Sequence, residues 1–232
     1  MLDSHEPHIG SQNDPYDGIW SELKSLGIQK EMGDISYIKK FTPQAREWLI
    51  GNHFDIVLLP GNSLEYWHSS GKNNLLKDAR VELPHQLPAY IRAATDDPTE
   101  VAIDRRTLYL PDSIGKNWFA QEKLLADFSS NLPRAIKPIV GSAAQYVDLI
   151  VIDFLTDAPR KVFGPLYNRT GTRTSSGFDD ISVCSVGISE DYDRRIVVNR
   201  SLKSNNNPII GLVPLIVPNQ EPTLADLIGF AN

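Results

Sequence analysis

Two uninterrupted apolar runs constrain this chain more than any other feature: FDIVLLP at 54–60 and QYVDLIVIDFL at 145–155. A strand with one solvated face alternates apolar with polar residues, so a run that is apolar at successive positions must be covered on both faces. Both runs are therefore expected to be buried strands, over 54–59 and 147–152, with helices above and below the sheet. Pro60-Gly61 should end the first, because proline lacks the ladder donor and glycine permits the turn.

The segments around these runs alternate in type. YDGIWSELKSL (16–26) spaces Ile19, Trp20, Leu23 and Leu26 as on a helix, and Gly27 is a natural stop. DISYIKKF (34–41) predicts a short strand. Thr42-Pro43 opens a helix reaching Gly51, with Thr42 as cap and Pro43 in the first turn. Prolines interrupt 73–94, which leaves short helices only, one of them over 88–94. EVAIDRRTLYL (100–110) predicts a strand or hairpin. GKNWFAQEKLLADFSSNL (115–132) predicts a helix that buries Trp118, Phe119, Leu124, Leu125 and Phe128.

Beyond Pro133 the pattern changes to strand-length runs separated by the turn compositions SSGFDD, EDYD and KSNNN. KVFGPLYNR, ISVCSVGIS (181–189), RRIVVNRSL (194–202) and PIIGLVPLIV (208–217) predict an antiparallel meander. TLADLIGF (223–230) predicts a terminal helix. The expected class is α/β or α+β, with a mixed sheet and flanking helices in the N-terminal two-thirds and an antiparallel β-meander in the C-terminal third. One continuous sheet is expected, in a single domain over 16–232 that follows a disordered tail at 1–15.

Totals exclude several classes of function. The 232 residues carry a formal net charge of -6, which argues against a uniformly basic nucleic-acid binder while leaving room for a local basic groove. Cys184 is the single cysteine, so an intramolecular disulfide and a thiolate metal cluster are both excluded. It sits in apolar alternation and is expected to pack in the core. The first residues carry no basic and apolar leader pattern, and no run approaches the roughly 18 apolar residues that span a bilayer. The expected location is the cytoplasm, with no membrane partner.

Three stretches carry candidate chemistry. In open α/β sheets ligands sit beyond the carboxyl ends of strands, where Asn62, Ser63 and Glu65 would emerge after FDIVLLP. Asn62 would orient a ligand, and Glu65 would serve as a base or metal ligand. The competing expectation is a solvated polar turn. The run resembles the strand methyltransferases carry beneath their substrate, but those enzymes need an early glycine-rich turn. This chain has only isolated glycines before residue 54, at 10, 18, 27, 33 and 51. Asp153, near the end of the second run, is placed where an acidic residue often holds a divalent cation. Here the pattern resembles the acidic strand of P-loop NTPases, yet no GxxxxGK[ST] is present.

The third stretch, LYNRTGTRTSSGFDD (166–180), gathers Asn168, Arg169 and Arg173 with hydroxyls in a glycine-punctuated loop. Guanidinium forks, hydroxyls and backbone N–H groups together suit phosphate or carboxylate. The histidines show no zinc spacing, and no GxSxG elbow exists. These residues lead to a metal-dependent hydrolase acting on a phosphate-bearing substrate, nuclease-like in its chemistry. Glu65 and Asp153 would be both catalytic and ligands to Mg, while Asn62, Asn168, Arg169 and Arg173 would bind a phosphate-bearing ligand or nucleic acid. The alternative is a non-catalytic binding or assembly module that presents the C-terminal meander.

Overall fold

The structure is a computed structural model that describes residues 25, 38–70, 80–104, 106–155, 166–174, 182–189 and 195–219. The expected tail at 1–15, the helix at 16–26 (apart from helical Ser25) and the terminal helix at 223–230 lie outside the described residues. The class is mixed α/β, with two sheets where one continuous sheet was expected.

Helix α1 (Pro43–Gly51) leads into β1 (Phe54–Leu59), and α2 (Leu64–Ser70) follows. Next come β2 (Val81–Glu82), α3 (Ala89–Arg92), β3 (Thr99–Asp104), α4 (Trp118–Ser129) and β4 (Ile136–Ile139). Helix α5 (Ala143–Leu155) precedes β5 (Tyr167–Arg173), β6 (Ser182–Ser189), β7 (Arg195–Leu202), β8 (Ile210–Gly211) and β9 (Leu215–Pro218). The first sheet, in order β1-β3-β9-β4, is antiparallel throughout. The second, β2-β7-β6-β5-β8, is mixed: the meander β5-β6-β7 is antiparallel as expected, and β2 and β8 add to its edges in parallel.

The second apolar run is the main correction. Residues 143–155 form a helix, and the strand expected over 147–152 does not exist. Helix α5 packs against β1 of one sheet and against β5, β6 and β7 of the other. Tyr146, Val147, Leu149, Ile150 and Val151 are at most 1% exposed, because sheet covers the helix on two sides. A helix covered all round is apolar all round, so its sequence has the same texture as a doubly covered strand. Its 13 residues already exceed the usual strand of about 5–6, a length that favours helix.

Strand β1 is covered on both faces, as its sequence requires. Phe54 and Ile56 join Phe41, Ala45, Leu49, Ala102, Ile136 and Ile216 beneath α1, whereas Val57 and Leu59 face α5. Strands β3 and β9 alternate in the same way, with Ala102 and Ile216 outward and Val101, Ile103, Leu215 and Val217 inward. Glu100, on the outward side of β3, is 1% exposed; it pairs with Arg46 of α1 and accepts from Phe41 N at 2.8 Å. Thr42 caps α1 through Ala45 N, with Pro43 in its first turn. In α4, Trp118 is buried as expected, but Phe119 is 64% exposed and Gln121 takes the inner position.

PIIGLVPLIV, expected to be a single strand, divides at 212–214 and passes from one sheet to the other. Pro214 cannot donate to a ladder, and side chains hold the crossing instead. Leu212 N donates to Ser113 Oγ, Val213 N donates to Asn168 Oδ1, and Tyr146 OH donates to Val213 O. No helix among the described residues is long and apolar enough to cross a membrane.

Candidate functional site

Gly61 is where the geometry of the site begins. Its φ is +77°, a conformation that side chains rarely adopt, and an added Cβ would lie 2.1 Å from the carbonyl oxygen of Asp96. Gly61 accepts from Asp96 N at 3.1 Å and donates its own N–H to Oδ2 of Asp148 at 2.8 Å. Asn62 N–H also points to that carboxylate, and Trp67 Nε1 donates to Oδ1 at 2.5 Å. Successive N–H groups around one oxygen pair make a small anion nest, here filled by the protein's own side chain.

The turn after β1 is therefore neither a solvated turn nor an open sheet edge. Asn62 and Ser63 are fully buried, and Ser63 Oγ caps α2 by accepting from Tyr66 N at 3.0 Å. Burial pushes the Asp148 carboxyl well above the usual carboxylate range, against the opposing pull of its three donors; the nearby Asp96 charge adds to the rise.

A cleft of about 240 Å³ opens beside this turn, where α5 begins. Leu64 and Ile91 form part of its apolar lining, and Asp96, Ser142, Thr172 and Arg173 bring polar groups from three stretches of chain. Ser142 and Gln145 form a capping box: Gln145 N donates to Ser142 Oγ at 3.1 Å, and Ser142 N donates to Gln145 Oε1 at 2.9 Å. Ser142 Oγ donates to Asp96 Oδ2 at 2.6 Å, and Ala143 N donates to Thr172 Oγ1 at 2.8 Å. One cation, one carboxylate and two hydroxyls thus meet at the positive end of a 13-residue helix.

The residues singled out in the sequence are not gathered in one place. Glu65 sits in the first turn of α2, partly exposed, with Arg92 Nη1 3.5 Å away. Asp153 lies on α5, and both its carboxylate oxygens are shielded from solvent. Asp148 faces α2 through Trp67, and at about 100° per helical residue Asp153 is turned roughly 140° away from it. The parallel strand ends that would have joined Glu65 to Asp153 are absent, since one of the strands is a helix. Among the described residues no group of three or more His, Cys, Asp or Glu is arranged to hold a metal ion.

The arginine stretch is also rearranged. Strand β5 (Tyr167–Arg173) carries the strand expected in KVFGPLYNR on through Arg173, into the stretch expected to be a loop. Arg169 is fully buried and holds four backbone carbonyls: Nη1 donates to Leu202 and Lys203, and Nη2 to Lys116 and Asn205, at 3.1–3.4 Å. Asn168 is buried and holds the 212–214 crossing. Arg173 alone of the expected ligand-binding set lines the cleft. Cys184 packs in the core as expected, and burial pushes its thiol up to about 12.

Sequence reasoning passed over Asp96, Ser142 and Thr172. Ser142 carried a signal, since S-x-x-Q before an apolar run marks a helix start, and only the strand assignment hid it. Comparison with protein-family models, with curated proteins and with solved structures finds no match.

Proposed function

We propose that this chain is a binding module for a small molecule carrying one anionic group, phosphate or carboxylate, and one hydrogen-bond donor on an apolar body. The observation that carries this reading is the convergence of Arg173, Thr172, Ser142 and Asp96 on one largely apolar cleft. Apolar walls with a few convergent polar groups are the usual character of small-molecule sites. Arg173 and the start of α5 favour the anion, and Asp96 favours the donor. The 2.6 Å bond from Ser142 to Asp96 fixes that carboxylate in place beforehand.

The test is thermal stabilisation of the full chain by a panel of phosphate- and carboxylate-bearing amines and alcohols. At least one should raise the melting temperature, and Arg173→Ala should weaken its binding more than tenfold, the worth of one charge-assisted contact of about 1.5–3 kcal/mol. Stabilisation that survives in Arg173→Ala would sink the reading. A rise produced by millimolar Mg²⁺, and lost in both Glu65→Gln and Asp153→Asn, would favour the metal-dependent hydrolase instead.

A further inference from the structure

A second cleft, of about 230 Å³, is lined by the segment that leads into α3. Pro84, Leu87 and Pro88 give it an apolar wall, and His85, Thr174 and Arg200 give it donors. Arg200 follows Ile196 and Val198 on alternate positions of β7, so it continues their side of the strand. It lies past the edge of the core, however, and is exposed. Opposite it in the ladder stands Cys184, whose neighbour two residues back on β6 is Ser182.

Thr174 gives the independent sign of a ligand. It is 8% exposed and lines the cleft, and its Oγ1 is buried without a hydrogen-bond partner among the described residues. Its own N–H is engaged with Ser182 O at 3.1 Å, so its backbone is fixed while its hydroxyl is left over. Ser182 Oγ is in the same condition. A buried hydroxyl with no partner is unfavourable unless something else satisfies it.

We infer that this cleft is a second binding site, separate from the one at Arg173, for a ring-bearing phosphate. The Arg200 guanidinium supplies a planar fork for two phosphate oxygens, Thr174 turns about χ1 to bring its shielded Oγ1 to a third, and a His85 ring N–H completes the set. The apolar wall of Pro84, Leu87 and Pro88 takes the ring. This assignment is independent of the cleft at Arg173, since no side chain lines both.

Phenyl phosphate is the probe, titrated against the full chain by calorimetry beside inorganic phosphate. Saturable binding of phenyl phosphate at millimolar concentration is expected, at least tenfold tighter than inorganic phosphate. Arg200→Ala should weaken it tenfold or more, and Arg134→Ala, at an exposed arginine that lines neither cleft, should leave it unchanged within twofold. Thr174→Val keeps the side-chain shape and deletes the hydroxyl. It should weaken phenyl phosphate several-fold while raising the melting temperature of the free protein, an opposition that a merely structural threonine would not give. Absence of saturable binding, equal binding of the two phosphates, unchanged affinity in Arg200→Ala and Thr174→Val, or loss of binding in Arg134→Ala would each overturn the assignment.

Discussion

The indole Nε1 of Trp67 donates a 2.5 Å hydrogen bond to Oδ1 of Asp148, and both side chains are buried. Through that bond, and through Gly61 N–H on Oδ2, the central helix α5 is tied to the turn that follows β1. The join fixes the cleft wall, because Gly61 in turn holds Asp96.

Asp148 should make stability depend on pH with a definite sign. Burial raises its folded-state pKa above the unfolded value of about 3.9. Its contribution is complete below that unfolded value and is lost as pH rises towards the folded pKa, because the unfolded state then releases a proton the folded state retains. Asp148→Asn removes the titration. Urea unfolding across pH 3 to 8 should show the variant gaining stability relative to the parent as pH rises, whatever their offset at low pH. A difference that stays constant would mean the three donors offset desolvation, and one that moves the other way that they outweigh it.

Gly61→Ala should be among the most damaging single-methyl changes in the chain. The new Cβ would demand a φ of +77° from alanine and would meet the Asp96 carbonyl at 2.1 Å, a backbone atom with no side-chain freedom to yield. A loss of about 3 kcal/mol or more is expected by denaturant unfolding, well beyond the typical value near 1 for point changes. Because Asp96 must shift, binding in the cleft at Arg173 should fall as well. A variant within about 0.5 kcal/mol of the parent would show that the turn relaxes freely.

These two sites also show what the sequence could and could not convey. FDIVLLP was legible as a doubly covered strand because its six strand residues and its Pro-Gly stop match one element type only. QYVDLIVIDFL was not, since burial on every side erases the 3.6-residue periodicity that separates helix from strand. With that run misassigned, the strand-end geometry linking Glu65 to Asp153 followed, and Ser142 was lost as a cap. Arg169 and Arg173 lie four residues apart, a spacing that puts both on one face of a regular strand, and an irregularity in the β5–β6 pairing between them separates the buried one from the one that lines a cleft. Asp96 joins Ser142 from 46 residues away, a pairing no local pattern announces.

Arg169 gives the last prediction. Its guanidinium is buried without a carboxylate among its described partners, and it donates to the carbonyls of Lys116, Leu202, Lys203 and Asn205. Those carbonyls belong to the segment before α4 and to the end of β7 with the turn after it, so one side chain clamps two stretches that no ladder joins. Desolvation lowers its pKa, the direction expected for a cation kept from water. Arg169→Ala takes a donor from each of the four carbonyls; Leu202 O and Lys203 O keep the N–H groups of Asn205 and Trp118, and the loss is about 1–3 kcal/mol for each acceptor that neither these nor water satisfies. Arg169→Lys should recover only part of the loss, because a single ammonium cannot span the acceptors that the planar fork reaches. Unfolding by urea should therefore rank the parent above Lys and Lys above Ala, with Ala at least about 2 kcal/mol below the parent. Lysine matching the parent would show that charge, not the fork, holds the clamp; alanine matching it would show that the clamp adds nothing to stability.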